Sequence, residues 1–463
     1  MGIDDPEKAA RAVLDLCTDC DTCRYIMDTS CLFFPEMYRL FDKEVETGQK
    51  ITSTELQNMI DLCNFCAQCP CTNIREGIIE AKTQFIQRDG LKFGIRTIED
   101  VEGIANLCGN FPRLTNFFIR TRPTSSLLKA AIGIHKSRML PEFPREYFPA
   151  WAEKHMLTVK NRSNPKRKVA YFAGCAGKFL FPDVAKAVVD VFQKSGFEIY
   201  YPDQKCCGMP SLLEGDKGLT LKFALFNIDR LSEAVEEGYD IVCSCPTCGY
   251  MLKDILKERA YFSREYQEIV DDADKKFFKI PIRQGVRTLG ERQYALLDKN
   301  IYGAILKDDG YYSSISPLKR IKVAENTYDV GEYLLHLHKQ EELPSKFGPV
   351  PDRVVYYAPC HLREQKIGMP YIDLLKMIPG ITIEAINGQF YCCGVSGIMG
   401  FKREFHDKSI QLGSTLMKQI TDMNPDKLIT DCLSCRMQFN HLLPYDVLHP
   451  IEILQKSYTN YRD

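Results

Sequence analysis

VAYFAGC, residues 169–175, and VVYYAPC, residues 354–360, decide the fold, because each is an apolar strand-like run that ends on a cysteine. Outward from either run, the same pieces follow in the same order. A helical stretch leads to a second strand, FEIYY or ITIEAI, and then to Cys-Cys-Gly at 206–208 or 392–394. Another helical stretch leads to a third strand, DIVCS (240–244) or KLIT (427–430), and on to Cys245-Pro-Thr-Cys248 or Cys432-Leu-Ser-Cys435. Corresponding cysteines stand 185, 186 and 187 residues apart (175 to 360, 206 to 392, 245 to 432). So constant a register indicates duplication of one α/β unit, with boundaries expected at 166–255 and 351–463.

Upstream, residues 1–90 hold eight cysteines in two runs, Cys17, Cys20, Cys23, Cys31 and Cys63, Cys66, Cys69, Cys71. The sequence between them reads as helix. FPEMYRLFDKEV has apolar residues at near-helical spacing, and TSTELQNMIDLC opens on a capping pair, Thr52 with Glu55 three residues later. Residues 91–165 read as helical pieces joining two modules, and from Gly103 to Pro141 they carry no acidic residue. Residues 256–350 form a charged, tyrosine-rich connecting segment to which the sequence assigns no chemistry. The expected fold class is therefore α+β and α/β multidomain, an all-helical N-terminal domain followed by two duplicated α/β domains.

At 463 residues the chain exceeds what one core usually organises. Sixty basic against sixty-one acidic residues leave a net charge of -1, so no bulk field favours nucleic acid. The start, MGIDDPEKAARAVLDLC, lacks the basic and apolar regions of a secretory signal, and export is not expected. No apolar run reaches the 18 residues of a membrane span. The expected location is the cytoplasm, or the periphery of the membrane's inner face. In a reducing compartment, twenty cysteines point to metal rather than to disulfides.

Thiolates are soft ligands suited to iron–sulfur clusters and zinc, and a cube-like cluster takes three of its four cysteines from one C-x₂-C-x₂-C turn. The chain has two such turns. In two-cluster ferredoxins the fourth cysteine of each run serves the other cluster, which pairs Cys17, Cys20, Cys23 with Cys71, and Cys63, Cys66, Cys69 with Cys31. The gaps before the fourth cysteines depart from the usual three residues: seven before Cys31 and one before Cys71. Zinc also uses C-x₂-C, but a triple turn occurring twice is much less typical of it. Each α/β unit supplies five cysteines, more than one zinc or one ordinary cube accepts. They are expected at the C-terminal edge of a small sheet, where helix N-termini offer N–H groups to an anion. The glycine after each Cys-Cys is expected to allow a tight turn.

These residues carry a resemblance. The ten cysteines resemble the CCG (cysteine-rich) domains of heterodisulfide reductase catalytic subunits. The whole order is similar to the family of anaerobic glycerol-3-phosphate dehydrogenase and related glycolate or lactate oxidase iron–sulfur subunits. The matching stretches are LLKAAIGIHKSRMLPEF, CCGMPSLLEGD, APCHLRE, CCGVSGIMGFKRE and ITDCLSCRMQ, and only roughly 256–325 falls outside the likeness. The resemblance implies a noncubane [4Fe–4S] cluster on Cys175, Cys206, Cys207, Cys245, Cys248 and another on Cys360, Cys392, Cys393, Cys432, Cys435. It implies two cubane [4Fe–4S] clusters in a helical ferredoxin domain at the N-terminus. The implied function is electron transfer in an anaerobic oxidoreductase, between a flavoprotein dehydrogenase or oxidase subunit and a quinone, a membrane quinone-reactive subunit or another carrier, in a hetero-oligomer without nucleic acid. The alternative is a catalytic heterodisulfide or thiol reductase with the two five-cysteine sets as its active site. No G-x-G-x-x-G follows a strand, so a flavin site is expected on another chain.

Cys108 and Cys243 are expected to be structural thiols. His361, beside Cys360, is expected to support the site from outside the ligand set, and His336, His338 and His449 to be structural. The basic residues Arg113, Arg120, Arg122, Lys129, Lys136 and Arg138 leave two readings open: a face for anionic lipid or a partner, or a solvated linker.

Overall fold

The structure is a computed structural model, and it describes residues 5–66, 68–69, 71–109, 111–160, 167–270, 276–282, 293–344, 346–386 and 391–461. Its strands are β1 (Lys168–Phe172), β2 (Glu198–Tyr200), β3 (Asp240–Cys243), β4 (Phe277–Pro281), β5 (Tyr294–Asp298), β6 (Thr327–Asp329), β7 (Arg353–Tyr357), β8 (Thr382–Ala385), β9 (Lys427–Thr430) and β10 (Asp446–Leu448). Two four-stranded sheets form, in the orders β2-β1-β3-β6 and β10-β9-β7-β8, and every pairing within them is parallel. Strands covered by helices on both faces need apolar side chains at every position, and for that reason VAYF and VVYY read as unbroken apolar runs.

The six strands expected from the sequence are present, and each sheet gains a fourth. β6 and β10 are only three residues long, too short to show a period of two. β6 lies within the connecting segment, 256–350, so that segment returns to the first sheet instead of standing apart from it. Its own strands, β4 and β5, pair antiparallel.

The two α/β units share one core. Val169, Val188 and Phe192 of the first unit and Val354, Ile451 and Leu454 of the second are buried in the same cluster. Helix Pro182–Lys194 packs on helix Pro450–Asn460, and helix Val330–Lys339 packs on helix Pro370–Leu375. Each unit thus offers its last helix to the other's early helix, the self-complementary pattern of a two-fold contact. Each fully buried aliphatic in this seam contributes about 1.5–3 kcal/mol.

Among the described residues of the N-terminal block every regular element is a helix: Pro6–Cys20, Cys23–Ile26, Phe33–Thr47, Ser53–Asp61 and Thr72–Asp89. Thr52 caps Ser53–Asp61 in a reciprocal capping box with Glu55. The block's core of Phe33, Met37 and Ile60 takes in Met399 and Phe405 from the second unit, while Phe65 and Ile79 enter the first unit's core. The block is therefore wedged against both units. Among the described residues the linker forms five helices, Phe93–Glu99, Val101–Gly109, Pro112–Arg120, Arg122–Ala131 and Phe148–Lys154.

Candidate metal centre

The eight N-terminal cysteines gather in two groups that exchange one member. Burial, followed by Cys23, Cys71, Cys20 and Cys31, pushes the Cys17 thiol up to about 12. Cys23 is raised by burial and then by Cys71 and Cys20. Cys71, from the second run, therefore lies among the first. Conversely, burial raises Cys31 to about 12, with Cys63 the sulfur that adds most to the rise, and Cys66 is raised by burial and then by Cys31. Local structure explains the exchange. Cys71 is the N-cap of helix Thr72–Asp89, which packs along Pro6–Cys20, so the cap is carried to the end where Cys17 and Cys20 sit.

Each α/β unit brings its five cysteines to the C-terminal ends of its strands. In the first, Cys206 Sγ lies 3.5 Å from Cys175 Sγ. Hydrogen bonds from Cys206 and Cys248 pull Cys207 down to about 6, and bonds from Cys248 and Cys432 hold Cys245 well below a thiol's usual range. In the second, Cys393 Sγ lies 3.1 Å from Cys435 Sγ, and Cys393 is held well below the usual range by Cys392 and Cys435. Helix N-termini do as expected: Cys432 caps Leu433–Leu442 and accepts from Cys435 N, 3.3 Å. Both Cys-Cys-Gly turns need their glycine, since φ is +90° at Gly208 and +88° at Gly394. Gly174, at φ +64°, lets Cys248 approach, because a Cβ there would lie 2.6 Å from Cys248 Sγ.

The two sets meet. Cys245 of the first unit is within hydrogen-bonding reach of Cys432 of the second. The N-terminal block touches the second set, with Asn64 Nδ2 3.7 Å from Cys392 Sγ and Cys66 interacting with Cys360. His361 joins all three parts. One ring nitrogen lies 3.0 Å from Phe65 O of the N-terminal block and the other 3.0 Å from Thr247 Oγ1 of the first unit, and burial holds the imidazole below its ordinary pKa and so neutral.

Cys175, Cys360, Cys392, Cys393, Cys432, Cys435 and Cys66 open onto one cavity of about 450 Å³. Its walls are almost wholly apolar and come from the linker, including Ile98, Val101, Ile104 and Leu128. A larger cleft of about 1140 Å³, between Thr72–Asp89 and the connecting segment, is lined by charged and tyrosine side chains without a cysteine. The donor chemistry fits iron–sulfur clusters. Soft sulfurs converge in buried surroundings, and in each five-cysteine set the central sulfur is held toward the thiolate that ligates iron. Among the described residues no three His, Cys, Asp or Glu side chains close around a single metal ion.

Cys243 is buried in β3 and Cys108 borders the cavity's apolar wall. His449 caps the last helix, accepting from Ile451 N at 3.1 Å, and its Nε2 lies 2.8 Å from Ser244 O. The basic linker residues divide. Lys129 and Arg138 are buried and Arg120 pairs with Glu142 at 2.6 Å, so half of the basic window does not face outward as free charge. Sequence reasoning did not reach Asn64 and placed Arg138 only among the basic linker residues, because the roles of both arise from long-range packing. Leu107, Phe111, Phe117 and Leu127 of the linker are exposed. No helix among the described residues is long and apolar enough to cross a membrane.

A family model described as the cysteine-rich domain matches residues 169–253 and 354–440. One of the subunits of anaerobic glycerol-3-phosphate dehydrogenase from Escherichia coli is 26% identical over 349 residues, covering 75% of this chain and 72% of that protein. One of the subunits of the CoM/CoB fumarate reductase from Methanothermobacter marburgensis is 26% identical over 306 residues, covering 64% of this chain and 48% of that one. An uncharacterized iron–sulfur protein from Methanocaldococcus jannaschii is 22% identical over 429 residues, covering 90% of this chain and 66% of that protein. The first two relatives are subunits of oxidoreductases and the third is an iron–sulfur protein.

Proposed function

From a chain that carries two cysteine-rich domains and resembles a component of anaerobic glycerol-3-phosphate dehydrogenase, we propose the iron–sulfur electron-transfer subunit of an anaerobic oxidoreductase. It passes electrons between a flavoprotein dehydrogenase partner and a quinone or other carrier. Two cubane [4Fe–4S] clusters are held by Cys17, Cys20, Cys23, Cys71 and by Cys63, Cys66, Cys69, Cys31, in a helical ferredoxin domain. Two noncubane [4Fe–4S] clusters are held by Cys175, Cys206, Cys207, Cys245, Cys248 and by Cys360, Cys392, Cys393, Cys432, Cys435. Such clusters, when bound, store and release single electrons.

The observation that carries this reading is the unbroken succession of sulfurs. Cys23 interacts with Cys69, Cys66 with Cys360 and Cys392, and Cys432 with Cys245. The order that follows is first ferredoxin site, second ferredoxin site, second cysteine-rich domain, first cysteine-rich domain. Cys20 and Cys71 are exposed whereas most of the ten domain cysteines are buried, which supports the ferredoxin end as the point of exchange with a partner. The apolar cavity and the exposed linker residues suit a lipophilic carrier delivered at the inner face of a membrane. Anaerobic purification followed by metal analysis tests the reading: roughly sixteen irons per chain are expected, four in each of four clusters. Zinc in their place, or iron at about half that level, overturns it.

The second reading, a disulfide reductase, is favoured by one observation, namely that cysteines of both domains open onto the same cavity. Reduction of a disulfide by the isolated chain with an artificial donor supports the reductase; inertness toward disulfides leaves the relay.

A further inference from the structure

The two cysteine-rich domains differ in the charge that reaches their sulfurs. Beside the first set the cations find protein acceptors, since Lys178 donates to Glu102 at 2.7 Å and to Gln204 O, and Lys205 shares the Glu102 carboxylate. Beside the second set stands Arg138, which comes from the linker and is fully buried. Residues 133–138 are pinned to the turn Met399–Phe401, with His135 N donating to Phe401 O at 3.1 Å and Arg403 N to Gly133 O at 2.9 Å. The guanidinium lies over the Phe401 ring, 4.3 Å from its centroid. One nitrogen donates to Gln438 Oε1, while Nε and Nη2 find no hydrogen-bond acceptor among the described residues. The group whose negative charge it feels is Cys393.

A buried guanidinium with two unused donors and no carboxylate partner needs a compensating anion. Burial lowers Arg138 only to about 10, so it stays charged at neutral pH. It also helps keep His441, pushed down to about 4 mainly by burial, uncharged.

We propose that Arg138 is the positioning charge of the second cysteine-rich domain: it supplies the counter-charge for the iron–sulfur group held by Cys360, Cys392, Cys393, Cys432 and Cys435 and raises that group's reduction potential above that of the first domain's. A positive charge nearby stabilises the more negative, reduced state. The one-electron step is balanced by oxidation of the neighbouring ferredoxin site, with no bond or proton changed. The inference rests on the cluster assignment under Proposed function and gives the wire a direction: electrons arriving from the ferredoxin domain settle at the second domain.

The test is a redox titration of the anaerobically purified full chain, followed by electron paramagnetic resonance, with a Cys207→Ala background marking which signal belongs to the first domain. In Arg138→Gln the one-electron reduction constant of the second-domain signal is expected to fall about tenfold or more, 59 mV per tenfold. The first-domain signal should not move. Arg138→Lys, which keeps the charge, should hold its second-domain signal closer to the parent's. A retained signal with an unmoved midpoint in Arg138→Gln, or equal shifts in both domains, overturns the proposal alone. If Arg138→Gln loses the second cluster altogether, Arg138→Lys must keep it, and loss of iron in both variants assigns Arg138 to packing. A parent protein without a second-domain signal sinks the cluster assignment itself.

Discussion

The two cysteine-rich domains are built on one frame and furnished differently. Both carry a four-stranded parallel sheet, a Cys-Cys-Gly turn with positive φ, and a last helix opened by a capping box, Asp329 with Glu332 in one and His449 with Glu452 in the other. At matching positions Tyr171 hydrogen-bonds Ser244 and Tyr356 hydrogen-bonds Asp431, the residues just before Cys245 and Cys432. What differs is contact and charge. The second set has Asn64 and Cys66 of the N-terminal block against its sulfurs and Arg138 beside Cys393, whereas the block reaches the first set through apolar side chains, Phe65 and Ile79, in the first unit's core. The shared frame sets where sulfurs converge, and the unshared residues set which convergence comes first in the path.

The most damaging way to break the comparison is to remove one central sulfur from each domain. Cys207→Ala and Cys393→Ala should each lose about four of roughly sixteen irons. Their kinetic consequences should differ. With a one-electron donor entering at the N-terminal block, where Cys20 and Cys71 are exposed, Cys207→Ala should leave the second-domain signal reduced at the parent's rate in rapid-freeze resonance spectra. Cys393→Ala should slow reduction of the first-domain signal about tenfold or more, at least 1.4 kcal/mol of added barrier. First-domain reduction at the parent rate in Cys393→Ala would reverse the order of the path.

A smaller contrast lies in the glycines. An alanine at either position adopts a left-handed conformation costing about 1–2 kcal/mol. At Gly208 the new Cβ meets nothing nearer than Thr220 at 3.5 Å, but at Gly394 it would lie 2.1 Å from Ser409 O. Gly394→Ala should therefore add overpacking of about 1–3 kcal/mol and lose iron from the second domain, while Gly208→Ala keeps its iron. Thermal unfolding and iron analysis on both variants check this, and equal losses would show the turns to be equivalent after all.

Much of this was legible in the sequence because the deciding signals are local. Strand runs such as VAYF and VVYY, the spacing of the cysteines, the Thr52 capping box and the glycine after each Cys-Cys all act within a few residues. The rest depends on contacts between distant segments. β6 and β10 have no period to read, and the exchange of last helices between domains is a property of two surfaces. Arg138 belongs by composition to a basic, acid-free stretch, and only the pinning of residues 133–138 onto Met399–Phe401 turns it inward. The ion pair of Arg120 was hidden for a simpler reason: Glu142 stands one residue beyond that stretch.

His361 offers a gentler probe, because it ties the N-terminal block to both domains. Replacement by alanine orphans Phe65 O and Thr247 Oγ1, at a cost of about 1–3 kcal/mol. Hydrogen exchange across residues 63–69 should quicken, while β1 keeps its protection. Iron content is measured alongside, since Cys360 is adjacent. Unchanged exchange in that loop would mean that Asn64 and Lys82, which donates to Leu213 O at 2.9 Å, hold the block without it.

The finest contrast sets the two helix caps against each other across pH. Burial, followed by Glu332, raises Asp329 from 3.8 to about 7, whereas burial lowers His449 from 6.5 to about 4. Between pH 4 and 7 folded Asp329 keeps a proton that the unfolded chain has released, so its contribution to stability is lost as pH rises through that window. Between pH 6.5 and 4 the unfolded chain binds a proton that folded His449 refuses, so its contribution is lost as pH falls. In the parent the two slopes oppose. Asp329→Asn retains a side-chain oxygen for Gly331 N and leaves His449 unopposed, so its melting temperature relative to the parent should fall as pH is lowered from 6.5 to 4. His449→Asn should show the reverse, falling relative to the parent as pH rises from 4 toward 7. Difference curves of the same sign would mean that the caps do not titrate as opposites, and the two domains would then differ in charge only at Arg138 and its surroundings.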